Sequence, residues 1–259
     1  MIDPPSANRL ATALAATAAT LLTAMVAITA ATGVAQEPFE VVRADYLPAI
    51  AAGAPALRAI VALDALFLIA YAGFFVMLPR ALGVADDPLV RLGVRAMLAV
   101  AVLDMIEDHH LLAVAKAARA GLPVDGTMLE LQHVLSQVKF HLSYLAVAFL
   151  ALGLPRGTRA ERTFAWMIGL PLPVMGALAW ATPTLEAAVS VGRWGAFMGG
   201  FGAAIAMLRR AARGWARPAT SCRWSTSRRT WASRPSTCRG CAGAWACRAP
   251  TGVIARSRG

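Results

Sequence analysis

Residues 91–154 read RLGVRAMLAVAVLDMIEDHHLLAVAKAARAGLPVDGTMLELQHVLSQVKFHLSYLAVAFLALGL, two long apolar segments joined by a short turn. All four histidines of the chain lie here, between His109 and His141. Further charged side chains stand among the Leu, Val and Ala residues of the two segments: Asp104, Glu107, Asp108, Glu130 and Lys139. Ionisable groups in such apolar segments are costly, so their clustering indicates a polar contact or a functional site.

The rest of the chain is equally apolar. Of its 259 residues, 58% are hydrophobic and 15% charged, and the mean hydropathy is +0.58. Its apolar runs reach about 20 residues, the length that one helix needs to cross about 30 Å of hydrocarbon. This pattern predicts an all-α, polytopic membrane helix bundle with six transmembrane helices, at about residues 10–35, 57–78, 92–115, 128–154, 163–182 and 189–208.

The charges of the connections predict the orientation of the bundle. The 80–95 and 156–162 connections contain three Arg each, and four more follow the sixth apolar run: Arg209, Arg210, Arg213 and Arg217. Because cytoplasmic loops are enriched in Lys and Arg, both termini are expected in the cytoplasm of a bacterium, with the protein multi-pass in its cytoplasmic (inner) membrane. Residues 10–35 are interpreted as a retained span, since this run is longer than the apolar core of a signal peptide.

Residues 218–259 differ in composition from everything before them. Of the net charge of +11, their eight Arg supply +8 and leave +3, and they hold all four cysteines but no Leu, Phe or Met. Such a segment cannot bury a core, so the sequence divides into a transmembrane domain, 1–217, and a disordered tail, 218–259. The tail is interpreted as a frameshift product or as a cationic segment that binds anionic lipid. Basicity confined to a tail predicts no nucleic-acid partner.

The polar residues of the apolar segments are arranged in stripes. On the third segment Asp104, Glu107 and Asp108 share one helical face, and His110 lies beside it. On the fourth segment another stripe is expected to look inward, with Lys139 on nearly the opposite side: Glu130, His133, Gln137, His141 and Tyr144. On the second segment Asp64 and Tyr71 are seven residues apart and share a face.

Antiparallel packing would bring these stripes together. A turn near Leu122 places Asp104 level with His141 and Asp108 level with Gln137, and a turn near Ala85 places Asp64 level with Glu107. We therefore expect one polar pocket between spans 2, 3 and 4. Its candidate members are Asp64, Tyr71, Asp104, Glu107, Asp108, His110, Glu130, His133, Gln137 and His141. Residues 36–56, the longest connection, are expected at the membrane surface.

Three interpretations of this pocket remain open. It could be a structural polar core that fixes helix packing, since interhelical hydrogen bonds do so routinely. It could be a path for protons or other ions, in which crowded carboxylates share protons. It could also be the site of a membrane-embedded, metal-dependent enzyme of the hydrolase type, with zinc as its metal and His133, His141, His110 and Asp108 as its candidate ligands.

Two short motifs resemble those of known membrane proteins. The run Leu63-Asp64-Ala65-Leu66-Phe67-Leu68-Ile69-Ala70-Tyr71 and the later run Leu103-Asp104-Met105-Ile106-Glu107-Asp108 resemble the L-D-x-x-F-x-x-x-Y and D-x-x-E-[ND] helices of an uncharacterised group of bacterial multi-span membrane proteins. This resemblance implies a helical membrane fold and no known activity. The chain is also weakly similar to membrane hydrolases of the alkaline ceramidase and progestin-receptor type, which use Ser, Asp and three His around zinc.

The sixth apolar run is rich in small residues. Gly195, Gly199 and Ala203 are spaced four apart, as are Gly192, Ala196 and Gly200. Faces of this kind let helix backbones approach closely. They predict tight packing within the bundle or, alternatively, a homo-oligomer through Gly195, Gly199 and Ala203.

Overall fold

The computed structural model describes residues 2–40, 44–181 and 186–215. These residues form seven α-helices, and a single turn of 3-10 helix at Glu37–Phe39 lies between the first two. The helices are α1 (Pro4–Thr32), α2 (Tyr46–Ala81), α3 (Pro88–Arg119), α4 (Gly126–Gly153), α5 (Arg159–Gly169), α6 (Pro171–Ala181) and α7 (Glu186–Trp215). The described part of the chain contains no strand, so the predicted all-α class is confirmed.

Four helices are long and apolar enough to cross a membrane: α1, α2, α4 and the Val191–Arg213 part of α7. The other two predicted spans have a different character. α3 has 32 residues, but three carboxylates lie near its middle. The predicted fifth span is divided at Leu170 into α5 and α6, of 11 residues each, because Pro171 cannot continue the hydrogen-bond ladder of α5.

The chain reverses sharply between the long helices. Gly83 and Gly121 follow α2 and α3 with φ angles of 69° and 66°, a left-handed conformation that glycine adopts without steric cost. Asp87 caps α3, since its side chain accepts hydrogen bonds from the backbone N–H groups of Leu89 and Val90. These short turns make α3 an antiparallel neighbour of both α2 and α4.

Glycines bring α3 and α4 into close contact. A Cβ atom placed on Gly93 would lie 2.9 Å from the carbonyl oxygen of Ala146 and 2.7 Å from the side chain of Leu150. One placed on Gly153 would lie 2.6 Å from the side chain of Val90. The contact therefore directs the face of α4 that carries residues 146, 150 and 153 toward α3.

Two apolar clusters lie at opposite ends of α3. The larger reaches Val100 and includes aromatic residues such as Phe74 and Phe201, whose ring centroids are 5.7 Å apart. The smaller begins on α3 at Leu111 and includes Phe39 of the 3-10 turn. The acidic residues of α3 lie between the two clusters.

The first and last helices are also neighbours. α7 packs against α1, and the buried Asn8 side chain donates a hydrogen bond of 3.1 Å to the carbonyl oxygen of Leu208. α5 and α6 pack against α7 as well. The first and last helices of the bundle are therefore in direct contact.

The small residues of α7 have different surroundings. A Cβ atom on Gly199 would lie 2.8 Å from Met167 of α5, and Ala203 packs against the larger apolar cluster. Gly195 is exposed, and a Cβ atom there would meet no described atom within 4 Å. The face predicted for a homo-oligomer is therefore partly occupied within the chain and open at Gly195.

The chain divides into two units, Met1–Pro218 and Ala219–Gly259. The second unit lies outside the described residues. The predictions made for the tail lie outside them as well.

Candidate functional site

Buried charge is concentrated in one region of the bundle. Lys139 of α4 is 6% exposed, and its Nζ atom lies 2.8 Å from Oδ1 of Asp104. The same ammonium group forms an ion pair with Glu107, which is fully buried. Because Asp104 and Glu107 occupy successive turns of α3, Lys139 is held between two carboxylates of one helix.

This contact corrects the expected orientation of α4. The inward face carries Gln132, Ser136 and Lys139, all buried, whereas the sequence placed Lys139 opposite the inward stripe. These residues continue, at spacings of three, four and seven, the face that approaches α3 at residues 146, 150 and 153. The glycine contacts thus set the rotation of the helix and turn Lys139 toward α3.

Glu107 is the centre of a hydrogen-bond network. Its carboxylate accepts hydrogen bonds from the Ser136 hydroxyl and, at 3.2 Å, from the Gln132 amide nitrogen. The amide oxygen of Gln132 lies 2.7 Å from Nδ1 of His110, so this imidazole nitrogen must carry the hydrogen. Nε2 of His110 is buried and has no partner among the described residues.

Three aspartates lie together beside this network. Carboxylate oxygens of Asp64, Asp104 and Asp108 are all within 4.8 Å of one another. Two of the three, Asp64 and Asp108, are buried. Glu107 was expected level with Asp64, and the two partners of Asp64 lie three residues before Glu107 and one residue after it. The antiparallel register predicted for α2 and α3 therefore agrees with the structure.

The chain between α1 and α2 folds onto the site. Gln36 donates a hydrogen bond of 3.0 Å to Asp108, and His133 donates one of 3.2 Å to the carbonyl oxygen of Glu40. Glu40 itself is buried. Burial raises the pKa of Glu40 to about 8, because loss of hydration outweighs the attraction of Lys139.

This segment was expected at the membrane surface, and its contribution to the site was missed. A sequence signal for its burial was the aromatic residue Phe39 among polar neighbours, and Phe39 is buried. Trp194 of α7 also holds the segment, because its indole N–H donates a hydrogen bond to the Glu37 carboxylate.

A cavity of about 150 Å³ lies between the helices and this segment. Its described lining has a polar end with four carboxylates and two cations, namely Glu37, Glu40, Asp64, Asp104, Lys139 and Arg193. Its other walls are mostly apolar and come from α1, α2, α3, α4, α6 and α7, with aromatic side chains that include Phe67, Phe75, Phe197 and Phe201. The lining is therefore both acidic and aromatic.

The predicted site residues are placed at different depths. The structure brings together Asp64, Asp104, Glu107 and Asp108, with Tyr71 buried on the same face of α2 as Asp64. The Tyr71 hydroxyl has no hydrogen-bond partner in the described ranges.

The residues of the predicted α4 stripe lie farther out. His133 and Gln137 are half-buried, whereas Glu130 and His141 are exposed. Nδ1 of His141 donates a hydrogen bond of 2.7 Å to the carbonyl oxygen of Gln137, and its ring lies against Tyr144. Asp104, which was expected level with His141, forms its ion pair with Lys139.

The donor chemistry of the site is mainly that of oxygen. Within the described ranges, the one group of three convergent candidate ligands is Asp64, Asp104 and Asp108, and it contains no histidine. Carboxylate oxygens suit hard cations such as Mg²⁺ and Ca²⁺, whereas zinc sites usually include nitrogen or sulfur ligands.

Comparisons with protein-family models, with curated proteins and with solved structures gave no match for this chain. The chemistry of the site is therefore the basis for assigning a function.

Proposed function

We propose that this chain is a multi-pass protein of a bacterial cytoplasmic membrane with six spans and both termini in the cytoplasm. The surface of α3 supports this proposal. Its acidic residues face the bundle, while Val102, Met105 and Ile106 are exposed with 52%, 48% and 45% of their surface accessible. A helix with apolar residues outside and carboxylates inside suits a lipid environment. α5 and α6 together form the fifth crossing, interrupted at Leu170.

We further propose that the acidic cavity takes up protons or other cations. The observation that carries this proposal is the charge of the cavity lining, where four carboxylates face two cations. Glu107 and Asp108 lie directly behind this lining and add further negative charge. Buried ionised carboxylates are unfavourable without compensation, so the excess charge requires bound protons or a bound cation.

A flux measurement tests this function. The purified protein is placed in liposomes that contain a pH-sensitive dye. A potassium diffusion potential that is negative inside the liposomes is then applied. We expect proton entry with the wild-type protein and a large loss with Asp104→Asn, because the substitution removes a carboxylate of the cavity. Glu130→Gln is the matched control, since Glu130 is exposed on α4. Equal proton entry in wild-type and protein-free liposomes would contradict the proposal.

A second candidate is a membrane-embedded, metal-dependent enzyme of the hydrolase type. The convergence of Asp64, Asp104 and Asp108 favours it. Elemental analysis of the purified protein is its test: a stoichiometric divalent metal that Asp64→Asn removes would support an oxygen-ligated site. Stoichiometric zinc that His133→Ala removes would instead support the set of His133, His141, His110 and Asp108. A metal-free protein argues against both.

We also propose a homo-oligomer through the Gly195 side of α7. Gly195 is exposed and meets no described neighbour, so a larger side chain there leaves the monomer unstrained. Light scattering on the detergent-solubilised protein should show an oligomer that Gly195→Leu dissociates. A monomeric wild-type protein would contradict this proposal.

A further inference from the structure

The cavity has the two-part character of a binding site for an amphiphilic molecule. At one end lie the carboxylates of Glu37, Glu40, Asp64 and Asp104. At the other end helices α2 and α7 supply aromatic rings, of which Phe67 and Phe201 meet edge to face at 6.1 Å. A small apolar body with one polar end matches this division.

The charge of the polar end determines whether a cation or an anion can bind there. Both cations of the lining are engaged: Lys139 lies between Asp104 and Glu107, and the guanidinium group of Arg193 lies 4.3 Å from the centre of the Phe140 ring. Asp64, in contrast, has two further carboxylates within 4.8 Å. A positively charged group would therefore be attracted to Asp64, and an anion would be repelled.

The aromatic walls favour the same kind of ligand. Phe67 follows Asp64 by one turn of α2 and lines the same cavity, so a charged group near Asp64 also lies near an aromatic ring, and aromatic rings attract ammonium groups. The cavity volume of about 150 Å³ is the size that admits one benzene ring in an apolar protein cavity. The ligand is therefore small, with a single ring or a short alkyl group beside its charged end.

We propose that the cavity binds a small lipophilic cation, an amine or quaternary ammonium compound, in exchange for protons held by its carboxylates. This inference rests on the proposed cation uptake and names the class of cation. Binding places one positive charge beside the carboxylates, and one protonated carboxyl group then loses its proton to water. One O–H bond breaks in this step, and no other covalent bond changes. The titratable and charged groups around the proposed site of exchange come from several elements: Glu37 and Glu40 before α2, Asp64 on α2, Asp104, Glu107 and Asp108 on α3, Lys139 on α4, and Arg193 on α7.

Three probes of similar size separate charge from shape. Calorimetry on the purified full-length protein compares benzylammonium with neutral benzyl alcohol and anionic benzenesulfonate. At about pH 8 we expect the cation to bind roughly tenfold or more tightly than the alcohol, and the sulfonate not to bind. At about pH 5.5 the affinity for the cation should fall roughly tenfold, and its binding in weak buffer should release protons.

Variants then locate the binding site. Asp64→Asn should weaken binding of the cation, and Phe201→Ala should weaken binding of both the cation and the alcohol. Glu130→Gln should bind as the wild type does. If Asp64→Asn fails to accumulate, the three probes and the proton release of the wild-type protein still decide the question.

Several outcomes would overturn the inference. They are equal affinity for the three probes, binding of the cation without proton release, and binding of Mg²⁺ alone. Proton flux in liposomes without binding of the ammonium probe would leave the proposed uptake standing and exclude this ligand class. Binding of the probe without proton flux would contradict the proposed uptake and retain the site.

Discussion

Lys139 is the residue on which the charge balance of the cavity depends. Replacing it with Met keeps the bulk of the side chain but leaves Asp104 and Glu107 without their cation. Removing one partner of a buried ion pair costs about 3–5 kcal/mol, so we expect Lys139→Met to lower the stability strongly. Thermal unfolding in detergent measures this effect.

The exposed Lys116 provides the control for this substitution. Lys116→Met should leave the unfolding temperature close to that of the wild type, because Lys116 lies at the end of α3 outside the site. Adding Glu107→Gln to Lys139→Met should recover part of the loss. An unchanged unfolding temperature in Lys139→Met would show that the pair contributes no stability.

Glu40 makes the stability depend on pH. Its pKa is raised from 4.5 to about 8, chiefly by burial and against the attraction of Lys139 and Arg193. A carboxyl whose folded-state pKa lies above its unfolded-state value stabilises fully below about 4.5 and loses this contribution as the pH rises through about 8. Between about pH 6 and 9 the unfolding temperature of Glu40→Gln should therefore fall less than that of the wild type. Glu130→Gln should follow the wild type, and parallel curves for all three proteins would contradict the prediction.

The acids of the site were predictable from the sequence, but the partners of those acids were not. Asp64, Glu107 and Asp108 stand in apolar helices, where burial against other polar groups is the expected outcome. Lys139 could equally have extended along the helix to the membrane surface, because lysine has a long flexible side chain. Gln36 and Glu40 lie in a connection, and only the folded chain shows that this connection turns inward.

At the level of helices, the contact between α3 and α4 depends on Gly93. A Cβ atom there would meet backbone atoms of α4, including the Leu150 nitrogen at 3.0 Å, and backbone cannot move aside cheaply. We expect Gly93→Ala to destabilise the protein by about 1–3 kcal/mol. The free energy of unfolding in detergent is the measurement.

Gly202→Ala is the matched substitution. Gly202 lies on α7, and a Cβ atom there would meet no described atom within 4 Å. This variant should be as stable as the wild type or slightly more stable, because alanine favours helix over glycine. Equal losses in both variants would mean that the close contact is not what Gly93 provides.

The same contact explains why the orientation of α4 was predicted incorrectly. The helix has one polar face at residues 130, 133, 137 and 141 and another at residues 132, 136 and 139, so polarity alone does not choose between them. The choice is made where Gly93 and Gly153 let the two backbones approach. That information lies more than a turn away from the polar residues and on two different helices.

For the whole molecule, the number of crossings can be tested by cysteine labelling. In a background where the four tail cysteines are replaced by Ser, we expect Asp86→Cys to react only from the cytoplasm. Leu122→Cys, at a position that is 59% exposed, should react only from the outside. A membrane-impermeant maleimide on intact cells and on inverted vesicles distinguishes the two sides.

The two positions flank α3, so they report directly on whether this helix crosses. Gly157→Cys, in the connection before α5, should behave like Asp86→Cys and serves as the control. Labelling of Asp86→Cys and Leu122→Cys from the same side would mean that α3 does not cross. The all-helical class follows from the apolar composition of the chain. The number of spans requires this measurement, because α3 carries more charged residues than a typical transmembrane helix and the fifth predicted span is interrupted at Leu170.

The hydrogen bond from Asn8 to Leu208 joins the beginning of the bundle to its end. During synthesis, α1 through α6 are translated before Trp194, Phe197 and Phe201. Until α7 is in place, the acidic residues of α2 and α3 lack the α7 side chains that line one wall of the cavity. The cavity is therefore complete only when α7 has packed against the other helices. A polypeptide truncated before α7 would carry the same carboxylates without enclosing them.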